Sequence, residues 1–165
     1  LIWTQKSFNL LLALLLSASA AGIIFSEGII WLLFERGNFN RADTQACAAV
    51  LSAYLIGLTP FGLAKLFSNW LYAKMQQKLA AKISLITLGV NLALAVVLMK
   101  FYAAAGLALA SSLGGFLQLA LYVRAFGARN FLAIISPKIL CAIIVWIAIL
   151  SFILEILKEK LYVYL

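Results

Sequence analysis

The sequence predicts an all-α protein, a polytopic transmembrane helical bundle of about five transmembrane helices. Hydrophobic residues make up 66% of the 165 residues and charged residues only 11%, and the mean hydropathy is +1.10. The apolar residues form five long stretches separated by short charged connections, and each reaches or approaches the ~20 residues that a helix needs to cross a bilayer. The stretch from Leu10 to Leu16 is apolar on every face, unlike the alternating strands of a membrane β-barrel.

The five helices are predicted to cover residues 7–34, 41–75, 83–99, 103–124 and 137–157 of a single transmembrane region spanning 1–165.

The first two predicted helices meet at a charged connection. Gly37 supplies a stop for the first helix, and Asn40 followed by Asp43 has the spacing of an N-cap for the second. That second helix is ~50 Å long, so tilt, a kink at Pro60 or protrusion must absorb the excess over the bilayer core.

The third and fourth predicted helices carry small and polar residues at membrane depth. Gly106, Ala110 and Gly114 recur at four-residue spacing, a pattern that lets helix backbones approach closely. Asn91 and Ser111 are polar groups within the apolar stretches, and they suit either interhelical hydrogen bonds or an ion or substrate contact. The fifth helix is almost uniformly apolar, which favours contact with lipid.

Lys65 is a cation within the second predicted helix, and Asn69 follows one turn later on the same face. One interpretation is that Lys65 faces a polar cavity and can meet a phosphate. The other is that the lysine extends along the helix to the membrane interface. Asn69 slightly favours the polar lining, so we treat both residues as candidates for substrate contact.

The formal net charge of +8 does not indicate a nucleic-acid partner, because the basic residues lie at the ends of the apolar stretches. They are more numerous on the side that holds Lys6 and the connections near 74–82 and 124–138, while all five acids fall on the other side. The positive-inside rule therefore predicts a cytoplasmic Leu1 end and a periplasmic connection from Phe34 to Thr44.

The residue types present do not suggest an enzyme, a metal site or a cofactor. The chain has no histidine, and it shows no nucleophile beside a base, no paired carboxylates at membrane depth and no Gly-rich phosphate loop. Cys47 and Cys141 both fall within predicted helices, where we expect small core residues rather than a disulfide or a metal site.

A longer pattern resembles the MurJ/MviN lipid II flippase family, part of the multidrug/oligosaccharidyl-lipid/polysaccharide exporter superfamily. The run from Leu33 to Phe39, followed by Asp43-Thr44, is similar to that family's Leu-Phe-x-x-Gly-x-Phe…Asp-Thr stretch. In the same order come Ala53-Tyr54, Lys65 with Tyr72-Ala73, Asn91-Leu92 and the run 106–110. The resemblance covers about residues 7–129, and its ordered spacing is more specific than any single piece.

The resemblance implies that the chain is a fragment of a larger protein, about helices nine to thirteen of a two-lobe transporter that lacks its N-terminal lobe here. It implies translocation of lipid II, the undecaprenyl-diphosphate-linked peptidoglycan precursor, across the bacterial plasma membrane by alternating access. Membrane lipids and the N-terminal lobe are then the expected partners. Asn91 and Ser111 match positions of a cation site in some relatives, although Ala95 stands where a further ligand is expected.

Two alternatives stay open at the level of the sequence. One is a different exporter of the same superfamily, which moves another lipid-linked oligosaccharide or a drug. The other is a non-transporting remnant. The chain begins at Leu1 rather than Met, so we expect that a piece precedes it.

Overall fold

The computed structural model describes residues 2–127, 131 and 137–164, and within them the chain forms five helices. They are α1 (Ile2–Ile24), α2 (Ser26–Phe34), α3 (Arg41–Ala73), α4 (Gln77–Phe126) and α5 (Pro137–Tyr164). Four of them, all except α2, are long and apolar enough to cross a membrane. The all-α transmembrane bundle predicted from composition is confirmed.

The helix α4 is a hairpin rather than one straight rod. Ala103 has left-handed backbone angles, with φ 47° and ψ −128°, and divides α4 into a first arm (77–102) and a second arm (104–126). Each arm is about 35–40 Å long, enough to cross a bilayer core by itself. The described residues therefore contain five segments of membrane-spanning length, two of them the arms of α4.

Several helix limits differ from those expected. The predicted helix 7–34 is interrupted at Phe25, which has φ −97° and ψ 8°, and the Ser26 hydroxyl donates to the Ile23 carbonyl over 2.9 Å beside this break. α4 starts at Gln77 instead of 83, and α5 continues to Tyr164 instead of ending at 157. Hydropathy marks the part of a helix that suits lipid, whereas polar residues can prolong the same helix into water. The connection around Arg129 lies outside the described residues.

The helix α3 is the centre of the bundle, with α1, α2 and both arms of α4 packed around it, while α5 packs against α1. Along α1 and α3 the neighbouring pairs are Gly22 with Leu55, Gly62 with Leu15, and Phe8 with Phe67. Residue numbers rise in one helix as they fall in the other, so α1 and α3 are antiparallel.

A hydrophobic core lies at the end of the bundle that holds Lys6 and the turn between α3 and α4. The ring of Phe67 is 1% exposed and its centroid lies 6.2 Å from that of Phe8, 5.2 Å from Phe126 and 5.8 Å from Phe131. Trp70 stacks edge-on against Phe126 at 4.5 Å. Aromatic rings from α1, α3 and the second arm of α4 thus close this end of the bundle.

The expectation that both cysteines are core residues is wrong. Cys47 lies in α3 and Cys141 in α5, as expected, but both are exposed free thiols. In a membrane an apolar side chain can face lipid as favourably as it faces protein, so an apolar sequence context does not predict burial.

Candidate functional site

An aromatic and polar stripe, which we call the α3 stripe, runs along the exposed face of α3. Its members Tyr54, Phe61, Lys65 and Tyr72 are separated by seven, four and seven residues, which places them on one face of the helix, and Asn69 lies beside them. All five are exposed in this chain. Lys65 and Asn69 are therefore brought together on a surface that other parts of a larger protein, or lipid, can cover.

Lys65 lies well inside α3, about 12 Å along the helix axis from the helix end at Ala73. A lysine at such a position can reach an interface only by extending its stem along the helix. Lys65 is exposed and faces outward from this set of helices. Its side chain therefore meets either lipid or a cavity that is completed by other helices.

The second arm of α4 runs parallel to α3 and contacts the edge of the α3 stripe. A methyl group at Gly115 would lie 3.0 Å from the Phe61 ring, and one at Gly57 would lie 2.8 Å from the Cα of Ser112. Ser112 also donates its hydroxyl proton to the Ala53 carbonyl. Gly57 and Ser112 therefore set the distance between α3 and the second arm. This distance determines where the second arm borders the α3 stripe.

Sequence reasoning missed Gly57 and Ser112 as a contact. The available signal was the pair of four-residue spacings Ala53–Gly57 and Ala108–Ser112, which resemble the small-residue pattern recognised at Gly106. Ala53, Gly57, Ala108 and Ser112 are all buried. Such spacings are frequent in an apolar sequence, and only the structure shows which of them face each other.

The predicted packing residues Gly106, Ala110 and Gly114 are all buried in the second arm of α4. A methyl group at Gly106 would collide with the carbonyl of Leu98 in the first arm, and one at Gly114 would lie 3.3 Å from the side chain of Asn91. Gly106 and Gly114 therefore lie where the two arms meet, and the absence of their side chains permits the close approach within the hairpin.

Asn91 lies at the contact between the two arms, and Ser111 lies one turn from that contact. Asn91 packs against Gly114, and Ser111 is three residues before Gly114 on the same face of the second arm. Both are half-buried, and the Ser111 hydroxyl donates to its own helix at Leu107 over 3.1 Å. The Asn91 amide and the Ser111 hydroxyl are thus two candidate polar groups within one turn of Gly114.

The Leu-Phe…Asp-Thr motif spans the end of α2, the connection and the first turn of α3. Asn40 caps α3, as predicted: its side chain accepts from the backbone N–H of Ala42 at 2.9 Å and of Asp43 at 3.1 Å, and Asp43 accepts from the Asn40 N–H at 3.0 Å. The buried hydroxyl of Thr44 donates to the Glu35 carboxylate over 2.6 Å. These bonds tie the connection to the start of α3, which explains the spacing of the motif.

The chain shares part of the fold of a solved polytopic membrane protein. That structure is described as lipid II flippase MurJ in an inward closed conformation; it matches 96% of this chain and 38% of its own, with a TM-score of 0.72 at 21% identity. A family model for lipid II flippase MurJ matches residues 3–163. The chain belongs to the MurJ family.

Relatives within the family are similar over most of this chain. A probable lipid II flippase MurJ of Helicobacter pylori strain J99 is 52% identical over 132 residues, which is 80% of this chain and 29% of that protein. One of Rickettsia prowazekii strain Madrid E is 31% identical over 156 residues, or 93% of this chain and 31% of that protein. The chain thus spans about 30% of the length of these relatives. Its family and its long apolar helices are those of a multi-pass membrane protein.

Proposed function

We propose that the protein containing this chain is a lipid II flippase, which moves the undecaprenyl-diphosphate-linked peptidoglycan precursor across the bacterial plasma membrane. The observation that carries the proposal is the family match over residues 3–163. On this proposal the protein catalyses no covalent chemistry. Transport proceeds by alternating access, in which two bundles of helices rock about a central site.

In this proposal the chain is helices nine to thirteen, the C-terminal portion, and the N-terminal lobe of the same protein completes the substrate path. The α3 stripe supports that arrangement, because an exposed cation and amide among aromatic side chains suit a protein surface better than pure hydrocarbon. Lys65 would contact the diphosphate through its ammonium group, and Asn69 would donate its amide hydrogens to the same headgroup.

The proposed orientation places the Leu1 end and the turn between α3 and α4 in the cytoplasm. The turn and the helix ends beside it carry Lys74, Lys78 and Lys82, and the ammonium of Lys74 lies 4.3 Å from the centre of the Trp70 ring. An excess of basic residues is typical of the cytoplasmic side, and an aromatic ring is typical of either membrane interface. The connection from Phe34 to Thr44 is then periplasmic.

Lys65→Ala in the full-length protein tests the role of the α3 stripe. We expect the rate of lipid II translocation in reconstituted liposomes to fall about tenfold, because one charge-assisted contact to the diphosphate is lost. Lys100→Ala is the matched control, since Lys100 is an exposed lysine at the bend of the α4 hairpin, away from the stripe. Equal rates in both variants would show that Lys65 does not contact the substrate.

The same liposomes test the substrate itself. Translocation of lipid II by the unmodified protein, without translocation of a lipid-linked O-antigen sugar, is the expected result. Transport of the other sugar or of a drug alone would contradict the proposal and favour the wider exporter superfamily. No movement of any substrate, by protein that is folded and correctly inserted, would favour a non-transporting product.

A cation site at Asn91 and Ser111 is a further part of the proposal. Its support is the contact of the Asn91 side chain with Gly114 and the position of Ser111 one turn before Gly114. If sodium binds there, Asn91→Leu should abolish any dependence of translocation on sodium. A sodium dependence that is unchanged in this variant would remove Asn91 from the site.

A further inference from the structure

A cavity of about 810 Å³ lies at the end of the bundle that carries α2. It is half open, and it is bordered by the last turn of α1, by α2 and by the first turns of α3. The side chains of Ala21, Phe25, Trp31 and Leu32 form its apolar part. Its volume is within the range of small-molecule sites, which are apolar with a few placed polar groups.

Charged side chains line the same cavity. Glu27, Glu35 and Arg41 contribute two carboxylates and one guanidinium, and Gln45 adds an amide. The Glu35 carboxylate is held by the Thr44 hydroxyl, which donates to its Oε2 at 2.6 Å, and Thr44 itself is only 4% exposed. One carboxylate is therefore fixed in position at the wall, and a second oxygen of that group is left to accept a hydrogen bond from a ligand.

The combination of charges restricts the chemistry of a ligand. A group that fits must offer a cation to two carboxylates, an anion to one guanidinium, and an apolar portion to Phe25 and Leu32. An anionic lipid without an amine would bring negative charge to a site in which two carboxylates already outnumber one guanidinium. A primary ammonium supplies three N–H donors, and a guanidinium binds phosphate oxygens in a bidentate manner.

We propose that this cavity binds one zwitterionic phospholipid with a primary-amine headgroup. The ammonium donates hydrogen bonds to the carboxylates of Glu27 and Glu35, the phosphate pairs with Arg41, and the first part of an acyl chain lies against Phe25 and Leu32. Trp31, which is 42% exposed, stands where an interfacial tryptophan normally meets lipid headgroups. The bound lipid fills the break between α1 and α2 and holds α2 against α3.

This inference does not depend on transport of lipid II, because lipid occupancy is measured on the resting protein. The full-length protein is purified, stripped of lipid by detergent exchange and titrated with dioleoyl-phosphatidylethanolamine, -phosphatidylcholine or -phosphatidylglycerol. Bound lipid is counted by native mass spectrometry. We expect one retained phosphatidylethanolamine with an apparent Kd about tenfold lower than for the other two lipids.

Three substitutions in the cavity and one outside it locate the site. Glu27→Gln and Arg41→Gln should each weaken phosphatidylethanolamine binding about tenfold, because each removes one charged partner. Arg36→Gln is the matched control, since Arg36 is an arginine of the same connection that does not line the cavity, and it should leave binding unchanged. Ala21→Phe fills the apolar part and should also abolish the retained lipid, which covers the case in which Arg41→Gln fails to fold.

Three results would overturn the proposal. One is equal binding of the three lipids, which would mean a nonspecific annulus. Another is unchanged binding in folded Glu27→Gln and Ala21→Phe proteins. The third is equally tight binding of water-soluble phosphoethanolamine, which would identify a headgroup site without a lipid tail. A transport defect without any change in lipid occupancy would bear on the proposed flippase function and not on this site.

Discussion

The two ends of the helical bundle are filled in different ways. At the end that holds Lys6, the rings of Phe8, Phe67, Phe126 and Phe131 meet one another with centroids 5.2–6.2 Å apart. At the end that carries α2, the helices α1, α2 and α3 leave a cavity of about 810 Å³ with charged side chains in its wall.

The difference shows how stability and function can be divided within one set of helices. In lipid, apolar residues gain little by leaving hydrocarbon for protein, so helices associate mainly through close packing and hydrogen bonds. The aromatic end has that close packing and should hold the bundle together. The open end keeps its helices in place by caps and side-chain hydrogen bonds, which leaves room for a ligand.

The largest expected effect comes from removing a buried aromatic ring at the end of the bundle that holds Lys6. Phe67→Ala should lower the free energy of unfolding by about 3 kcal/mol, because it removes a fully buried ring and leaves a cavity among its neighbours. Thermal unfolding in detergent, followed by loss of the monodisperse peak, measures the change. Phe101→Ala is the control, since Phe101 is 76% exposed. Similar losses in both variants would mean that the aromatic contacts do not stabilise the bundle.

A smaller effect is expected from Gly57→Ala, halfway along the bundle. The added methyl group would lie 2.8 Å from the backbone of Ser112, and relieving that overlap should cost about 1–3 kcal/mol. Gly89→Ala is the control, because a methyl group at Gly89 meets nothing within 4 Å. Both changes gain the same helix propensity, about 1 kcal/mol, so the difference in melting temperature isolates the packing. Equal stability of the Gly57→Ala and Gly89→Ala proteins would contradict the close packing of Gly57 against Ser112.

The smallest of the three effects is expected at the open end. Asn40→Ala removes the N-cap of α3 and should cost about 1 kcal/mol. Hydrogen exchange of the first turn of α3 should rise while the amides near Phe67 stay protected, because the two ends are stabilised separately. Asn38→Ala, in the same connection but outside the capping box, serves as the control. Equal loss of protection at both ends would show that the ends unfold as one unit.

Much of the fold could be predicted because it depends on local properties of the chain. Apolar length predicted the membrane-spanning segments, and the Asn40–Asp43 spacing predicted the cap that the structure confirms. The break at Phe25 and the left-handed Ala103 were not predicted. Neither residue has a strong turn preference, so their conformations depend on the helices that pack around them.

The candidate sites were predictable to a lesser degree. Four-residue spacing is enough to place Lys65 and Asn69 on one face of α3, and the same argument selects Gly106, Ala110 and Gly114. The cavity beside Glu27, Glu35 and Arg41 could not be found in this way, because its walls come from three helices.

The exposure of Cys47 and Cys141 was also missed. Both residues lie in apolar surroundings along the chain, which suggested a protein core. Composition does not distinguish a helix face toward lipid from a face toward protein, because both are apolar.

The sequence by itself determined that this protein lies in a membrane, that its elements are helices, and which family it resembles. Those properties follow from the hydropathy of each segment and from the hydrogen bonds that every segment in lipid must satisfy within itself. The tertiary structure alone decided which small residues meet, as Gly57 meets Ser112 and Gly114 meets Asn91, and where the bundle stays open. Such contacts depend on the shapes of two surfaces that are distant in the chain, and no local pattern contains both.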